Sequence, residues 1–256
     1  MKTSTIIAAI ALLCLINFES MSQNKNKVIA HRGAWKNTGA TENSIAALEH
    51  AIKLGCYGSE FDVHMSADSV LFVNHDHTIQ GTDIEKSTAA ELSRIKLGNG
   101  ETLPTLEAYL KTGSKQKNTR LILEIKTSSI SKERSLALAT KCVEMVKSLK
   151  VENITDYIAF DFDVCLKVKE LAPKAHVEYL NGDKTPAEIV TARLSGIDYN
   201  LRVLKKNENW IKEIKDQKLT TNVWTVNDES DMKWFLEKGV DYITTNEPEL
   251  LLQITK

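Results

Sequence analysis

Short apolar runs alternate with amphipathic stretches along the chain from residue 28 onward. Alternation of this kind predicts one α/β domain built on a mainly parallel sheet. The nine runs that we interpret as strands are Val28 to His31, Gly58 to Val63, Val70 to Asn74, Leu121 to Lys126, Tyr157 to Phe160, His176 to Leu180, Ile197 to Asn200, Asn222 to Val226 and Tyr242 to Thr244. A closed barrel of this size uses about eight strands. We therefore expect one run to be irregular, either His176 to Leu180 or Ile197 to Asn200.

The stretches between these runs carry apolar residues at helical spacing. The clearest helix follows Thr41 to Ser44, has Ile45, Leu48 and Ile52 on one face, and stops at Gly55. The other predicted helices are Glu133 to Leu149, Asp163 to Leu171, Pro186 to Leu194 and Glu229 to Lys238. The link between Asp62 and Val70 is too short for a crossover helix. An extended loop must carry the chain back there if both flanking segments are parallel strands.

The longest excursion between strands is residues 81–108. It holds a short helical stretch from Ala89 to Ile95, a turn at Gly98 to Gly100, and the start of another helix at Leu103 to Leu106. Excursions of this length usually serve a function. Because it follows His75 closely, we expect it to be an insertion that covers the mouth of the barrel.

The first residues have the pattern of a secretory leader. Lys2 supplies a positive charge, Ile6 to Phe18 is apolar, and small residues occupy Ser20 and Ser22. We predict a signal peptide over residues 1–22, cleaved after Ser22. The apolar run is shorter than the ~20 residues that a membrane span needs, which disfavours a buried N-terminal helix or a membrane anchor.

Residues 23–27 are polar and are interpreted as a lead-in to a barrel domain over residues 28–256. The residue before Cys14 is Leu13 rather than a small residue, which argues against a lipoprotein. We therefore expect an exported protein, periplasmic or secreted, with no membrane span once the leader is removed.

Composition narrows the class of protein. The chain is 42% hydrophobic and 26% charged, as expected for a globular protein with a sizeable core. Its formal net charge of -1 offers no overall field for nucleic acid or an anionic membrane, so any affinity for phosphate must be local. Cys56, Cys142 and Cys165, scattered and odd in number, fit neither a disulfide framework nor a zinc site, and we expect them to be buried.

Three acidic residues lie inside predicted strands. Glu60 and Asp62 are two positions apart, so their side chains point to one side of the strand. Glu124 lies near the end of another strand, and the carboxyl ends of barrel strands meet at one mouth. Closely spaced carboxylates need a cation, and an all-oxygen set suits Ca²⁺ or Mg²⁺ better than zinc. The sequence thus predicts one divalent metal ion.

Histidine and basic residues follow the same strand ends. His31 and His75 are the natural acid/base pair, because imidazole titrates near neutral pH. Arg32 and Lys126 can bind phosphate oxygens. Trp224 is either a wall for the carbon part of a substrate or a residue of the core. The remaining histidines are interpreted as bystanders (His50, His64 and His77) or as strand packing (His176).

Taken together, the motifs resemble those of the glycerophosphodiester phosphodiesterase family, in the family's order and over nearly all of the predicted mature chain. They are H-R-G at His31, E-N at Glu42 and Asn43, E-x-D at Glu60, H-D at His75 and Asp76, L-P-T-L at Leu103, E-x-K at Glu124, W-T-V-N at Trp224 and the closing D-Y-I-T-T-N-E-P. The chain departs from the family's pattern at residues 77–83, which contain no Arg, and at Asn246, where many relatives have Asp.

The resemblance implies a TIM (β/α)8 barrel of the phospholipase C-like phosphodiesterase kind. It implies that Glu60, Asp62 and Glu124 bind the metal, and that His31 and His75 are the acid and the base in an order left open. It further implies hydrolysis of glycerophosphodiesters to glycerol 3-phosphate and an alcohol, with Glu42, Asn43 and Asp76 in supporting positions. The same chemistry on a lysophospholipid or a glycerophosphoinositol is an alternative. A non-catalytic binding module is disfavoured, because every predicted metal and acid/base residue is present. The sequence does not specify an oligomeric state.

Overall fold

The structure, a computed structural model, describes residues 26–256, so the predicted signal peptide lies outside the described residues. Eight parallel strands close into a barrel, in the order β1-β2-β6-β7-β8-β9-β10-β11 and back to β1. This is a TIM barrel, as the sequence predicts. The strands are β1 Val28–Ala30, β2 Gly58–Met65, β3 Leu71–Val73, β4 Thr78–Ile79, β5 Thr82–Asp83, β6 Arg120–Ile125, β7 Thr155–Ala159, β8 Val177–Tyr179, β9 Gly196–Asn200, β10 Thr220–Trp224 and β11 Tyr242–Thr245.

Helices surround the barrel and connect its strands. They are α1 Ile45–Leu54, α2 Ala89–Leu92, α3 Leu106–Gly113, α4 Lys132–Ser148, α5 Phe162–Leu171, α6 Pro186–Thr191, α7 Leu201–Lys206, α8 Asn209–Asp216, α9 Glu229–Lys238 and α10 Pro248–Ile254, with short 3-10 turns at Ile84–Lys86 and Glu152–Ile154. The predicted start and stop of α1 are confirmed: Ser44 accepts a hydrogen bond from the backbone N–H of Ala47 at 3.1 Å, and Gly55 ends the helix with φ 74°. No helix among residues 26–256 is both long and apolar enough to cross a membrane.

The prediction about the irregular strand is wrong. Val177–Tyr179 and Gly196–Asn200 are both barrel strands, and each pairs in parallel with its neighbours. The extra run is β3, which pairs antiparallel with β2, Val63 opposite Val73. The expected extended loop is a tight turn in which the Ser66 backbone N–H donates to the Val70 carbonyl at 2.9 Å. A link this short can only join antiparallel strands.

Side chains on each strand alternate between two layers. Outward side chains such as Phe61, Leu123 and Tyr199 pack under the helices in one large apolar core, which also buries the three free cysteines as expected. Inward side chains form a smaller apolar cluster around Ile29. The polar side chains of β2 and β6 lie at the carboxyl end of the barrel and form the site described below.

Residues 81–108 build a satellite core beside β3. Five buried apolar side chains form it: Phe72, Ile84, Leu92, Leu97 and Leu103. The Glu101 carboxylate accepts hydrogen bonds from the backbone N–H groups of Ile45 and Ala46, at 2.9 and 3.1 Å. These bonds satisfy free donors at the first turn of α1. The insertion is therefore fixed to α1, while its role over the barrel mouth stays a prediction.

Candidate active site

The H-R-G motif forms the turn that leaves β1. Arg32 has φ 57° and Gly33 has φ 79°, a region that favours glycine. A Cβ atom on Gly33 would also lie 2.7 Å from the backbone of Ala47, so the turn packs against α1 only because no side chain is present. The turn directs the Arg32 backbone N–H to Glu60 Oε2 at 2.8 Å. Glycine at this position thus brings the first histidine close to the acidic residues.

His31 is held in one orientation by Asn246. Its Nδ1 atom lies 2.8 Å from Asn246 Oδ1. Because an amide oxygen only accepts hydrogen bonds, Nδ1 carries the proton and Nε2 keeps its lone pair. Nε2 lies 4.0 Å from Glu60 Oε2, on the side of the cavity. Burial, assisted by the charge of Arg32, lowers the pKa of His31 to about 4, so the ring is neutral at neutral pH.

Asn246 is itself positioned by the W-T-V-N motif. The Asn227 side-chain oxygen accepts the backbone N–H of Asn246 at 2.8 Å, and the His31 backbone N–H donates to the Thr245 carbonyl at 2.9 Å. Asn246 was not among the site residues predicted from the sequence. The one sequence signal at this position was that Asn246 replaces the aspartate that many relatives carry. The contact with His31 could not be inferred, because the two residues lie at opposite ends of the barrel sequence.

The three predicted metal ligands meet at the carboxyl end of two adjacent strands. Asp62 on β2 lies in register with Glu124 on β6, and Glu60 is one inward position earlier on β2. Carboxylate oxygens from all three lie within 4.8 Å of one another, and all three residues are buried. Asn43 donates to Asp62 Oδ2 at 2.9 Å and accepts from the Asp62 backbone N–H at 3.2 Å. The E-N motif therefore fixes the central carboxylate.

Lys126 partly compensates the buried negative charge. Its Nζ atom lies 2.8 Å from Glu124 Oε1 and 3.2 Å from Asp62 Oδ1. Burial is the largest influence on Asp62 and opposes its ionisation. The combined effect of Lys126, His75, Asn43 and His31 outweighs burial and lowers the pKa of that carboxyl. Burial and the neighbouring Asp62 raise the pKa of Glu60 well above its usual range and that of Glu124 to about 7. One ammonium group thus balances one of the three acids.

The remaining charge fits a divalent cation. Glu60 Oε1 is buried and has no hydrogen-bond partner, and leaving such an atom unpaired is costly. Three carboxylate oxygens within 4.8 Å are close enough to contact one ion at the distances of ~2.3–2.6 Å found for Ca²⁺. The donors are all oxygen, which suits Ca²⁺ or Mg²⁺. The chain therefore contains a buried acidic group consistent with one divalent metal site.

His75 faces the same cavity from the loop after β3. Its Nδ1 atom contacts Asp76 Oδ1 at 2.7 Å, and its side chain is about one-third exposed. That hydrogen bond is the main reason that the pKa of Asp76 is lowered. His64, interpreted as a bystander from the sequence, is buried and its Nε2 atom lies 3.2 Å from the His75 backbone carbonyl. His64 thus fixes the backbone that carries His75.

Arg32 lies between the cavity and a carboxylate at its rim. Nη1 donates to Glu42 Oε2 at 2.9 Å, and Nε is buried 4.0 Å from Asp62 Oδ2 without a hydrogen-bond partner. The guanidinium group lines the cavity. Glu42 therefore holds Arg32 beside the acids, and Nε retains a free donor for an anion.

These side chains surround a cavity of about 170 Å³. It is lined by His31, Arg32, Glu60, His75, Glu124, Ile158, Phe160, Leu180, Asp198, Trp224, Thr225 and Thr244. Trp224 lies on the cavity wall and also packs edge-on against Phe160, with ring centroids 5.5 Å apart. Contact between Trp224 and a substrate stays a prediction. Five predicted site residues do not line the cavity but contact residues that do, or one another: Asp62, Lys126, Asn43, Glu42 and Asp76. Two larger surface grooves, of about 500 and 450 Å³, are lined by none of the predicted site residues.

Asp198 is the residue of this cavity that the sequence analysis missed. It is 1% exposed, and its Oδ1 atom has no hydrogen-bond partner. Burial, followed by the nearby charges of Glu178 and Glu124, raises the pKa of Asp198 well above its usual range. The arrangement as a whole combines a neutral oriented imidazole, a second imidazole, a buried acidic group and two cations, which suits attack on an anionic phosphate ester.

Comparison with known proteins agrees with this geometry. A glycerophosphodiester phosphodiesterase from Parabacteroides distasonis ATCC 8503, whose crystal structure is known, is 47% identical, with a TM-score of 0.88 over 91% of this chain and 97% of that chain. The glycerophosphodiester phosphodiesterase of Caldanaerobacter subterraneus subsp. tengcongensis is 29% identical over 91% of this chain and 98% of its own length.

A more distant structure shares the fold. An Oleispira antarctica phosphodiesterase, solved in complex with its product sn-glycerol-3-phosphate, is 24% identical, with a TM-score of 0.77 over 90% of this chain and 97% of that chain. Residues 31–250 match the Glycerophosphoryl diester phosphodiesterase family. This match contains all the site residues described above, from His31 to Asn246. The chain belongs to the glycerophosphoryl diester phosphodiesterase family of phosphoric diester hydrolases.

Proposed function

We propose that this protein hydrolyses glycerophosphodiesters to glycerol 3-phosphate and an alcohol, with one divalent metal ion. The observation that carries the proposal is the meeting of His31, His75 and the buried acidic group Glu60, Asp62 and Glu124 around one cavity. Family membership supports the reaction class, and the cavity supplies the groups that this chemistry needs.

His31 is suited to act as the base. Its Nε2 lone pair faces the cavity, because Asn246 accepts the proton on Nδ1. A ring that is neutral at neutral pH can accept a proton from the hydroxyl group next to the phosphate. When bound by Glu60, Asp62 and Glu124, a divalent cation would polarise the phosphoryl oxygens and make that hydroxyl more acidic.

His75 is then the acid that protonates the leaving alcohol. It is more exposed than His31, with about one-third of its side chain accessible, and the alcohol must depart toward solvent. Asp76 accepts from Nδ1, which stabilises the protonated ring, and His64 fixes the His75 backbone. Arg32 and Lys126 stand beside the acids, where they can compensate the charge on the phosphate.

The substrate preference follows from the size of the cavity. About 170 Å³ is the volume of roughly six water molecules, which accommodates a glycerol group. This favours glycerophosphodiesters, whose glycerol group carries no acyl chain, over the lysophospholipid alternative. A panel of glycerophosphocholine, glycerophosphoethanolamine, glycerophosphoinositol and lysophosphatidylcholine ranks these possibilities directly.

The test is release of glycerol 3-phosphate by purified residues 23–256, with Ca²⁺, with Mg²⁺ and with EDTA. We expect metal-dependent release that His31→Ala and His75→Ala each reduce by about 10²-fold or more. His50→Gln, a histidine on α1 outside the cavity, is the matched control and should keep wild-type activity. Activity that persists in EDTA or in both alanine variants would contradict the proposal.

We further propose that the protein acts outside the cytoplasm, on the basis of the pattern of residues 1–22. Expression of the full chain followed by cell fractionation and N-terminal sequencing tests this. A mature chain that begins near Gln23 in the exported fraction is the expected result, whereas an uncleaved cytoplasmic chain would refute it.

A further inference from the structure

Asp198 is a buried acidic side chain at the wall of the cavity, and one of its two carboxyl oxygens has no hydrogen-bond partner. It lies in the middle of β9, where Ile197 and Tyr199 on either side pack outward under the helices. The alternation of side chains along a strand therefore directs Asp198 into the barrel. It lines the cavity there, and its Oδ1 atom is buried without a hydrogen-bond partner.

The surroundings of Asp198 leave that atom unpaired. Asn222, opposite Asp198 on β10, hydrogen-bonds the carboxyl group, but Oδ1 has no partner among the described residues. The same cavity wall carries the apolar side chains Ile158, Leu180 and Trp224. The Trp224 indole N–H donates to the Asp198 backbone carbonyl at 2.9 Å rather than to its carboxyl group. A buried carboxyl oxygen with no partner costs stability. A hydroxyl group on a bound ligand would remove that cost.

The position of Asp198 limits which hydroxyl group this can be. The other ionisable side chains that line the cavity already have a proposed role, as acid or base, in metal binding or in phosphate binding. Asp198 is the one ionisable lining residue without such a role. If the phosphate and its adjacent hydroxyl contact those groups, the polar atom left on a glycerol group is its terminal hydroxyl. The cavity volume of about 170 Å³ leaves room for it.

We propose that Asp198 is a specificity-determining residue that hydrogen-bonds the terminal hydroxyl of the substrate's glycerol group. The proposal rests on the function proposed above and names the part of the substrate that the cavity selects. A site built around such a bond discriminates strongly against an analogue that lacks the hydroxyl, because Asp198 Oδ1 is then left unpaired in the complex.

The experiment pairs two substrates with three variants. The substrates are glycerophosphocholine and its analogue with hydrogen in place of the terminal hydroxyl, which keeps the hydroxyl next to the phosphate. The variants are Asp198→Ala, Asp198→Asn and Glu178→Gln. Glu178 is the matched control, because it is a buried acid near Asp198 that bonds His176 at 2.8 Å and does not line the cavity.

Wild-type enzyme should prefer glycerophosphocholine in kcat/KM by at least about 30-fold. In Asp198→Ala, kcat/KM should fall about 30-fold for glycerophosphocholine and less than about threefold for the analogue, so that the preference for glycerophosphocholine is lost. Asp198→Asn, which can still donate and accept a hydrogen bond, should retain part of the preference. Glu178→Gln should retain the full wild-type ratio.

Calorimetry provides a second measurement that does not depend on turnover. Wild-type protein should bind sn-glycerol 3-phosphate more tightly than propane-1,2-diol 1-phosphate, and Asp198→Ala should bind the two alike. Thermal unfolding shows whether each variant folds. If Asp198→Ala does not fold, the proposal is tested by the preference of wild-type enzyme between the two substrates and by the change of that preference in Asp198→Asn.

The two proposals fail in different ways. A wild-type enzyme that cleaves neither diester would overturn the proposed function, and the binding measurement would still test Asp198. A wild-type enzyme that cleaves both equally well, or an Asp198→Ala variant that loses the same factor on both, would overturn the inference about Asp198.

Discussion

Replacing Asn246 with aspartate would place a carboxylate beside the proposed base. The amide oxygen of Asn246 lies 2.8 Å from His31 Nδ1, so Asn246→Asp changes the charge of this contact with little change of shape. The neutral amide does little to stabilise a protonated ring, whereas a carboxylate favours it. We therefore expect the variant to raise the pKa of His31.

The size of the effect follows from the contact. Two unit charges about 4 Å apart interact by about 4 kcal/mol at an effective dielectric constant of about 20. Since one pH unit corresponds to about 1.4 kcal/mol, this is an upper limit of about three pH units. Burying the new carboxylate removes about half of the gain. The pKa of His31 should thus rise from about 4 to about 5 or 6.

The assay is kcat/KM for glycerophosphocholine as a function of pH at saturating metal. Because a base must be neutral to act, the acid limb, which is the fall of kcat/KM on the acid side of the pH profile, should move to higher pH in Asn246→Asp. Above pH ~7, kcat/KM of the variant should stay within about threefold of wild type. Asn246→Ala is the control: it removes the orientation of the ring, so activity should fall at every pH without this movement of the limb. Superimposable acid limbs for wild type and Asn246→Asp would refute the assignment of His31 as the base.

Three further predictions concern the metal site, the H-R-G turn and the packing under His75. Glu60→Gln should weaken Ca²⁺ or Mg²⁺ binding at least about tenfold and reduce the rise in melting temperature that the ion causes, measured by calorimetry and thermal unfolding. Gly33→Ala should cost about 2 kcal/mol or more in urea unfolding, because it combines a positive φ with a Cβ atom 2.7 Å from Ala47. Burial lowers the pKa of His64 to about 4. On acidification the unfolded state therefore binds a proton at this histidine at a higher pH than the folded state does. The free energy of unfolding should fall by up to about 3 kcal/mol as pH drops from about 6.5 to about 4. His64→Gln should remove the His64 share of the slope and leave the share that His31 contributes over the same pH range. Equal slopes in wild type and His64→Gln would contradict the linkage.

Much of the site could be predicted because it obeys local rules. Glu60 and Asp62 point the same way since strand side chains alternate with a period of two. Glu124 joins them because the ends of parallel barrel strands converge on one mouth. The helix at Ile45 could be located because both of its ends have recognisable caps. Contacts that link distant parts of the chain, such as His31 with Asn246, have no local signal and required the fold.

The mistaken doubt about two strands and the missed residue Asp198 have one physical cause. Strands of a parallel sheet are usually buried on both faces and are recognised as continuous apolar runs. Here the inward face of β8 carries Glu178 and that of β9 carries Asp198, so both segments look like half-buried strands of another kind of sheet. A buried acid within a barrel strand weakens the local pattern and costs free energy. Such conflicts between local pattern and fold concentrate at functional sites. The feature that made β9 difficult to assign from the sequence is therefore the same feature on which the proposed contact between Asp198 and the substrate rests.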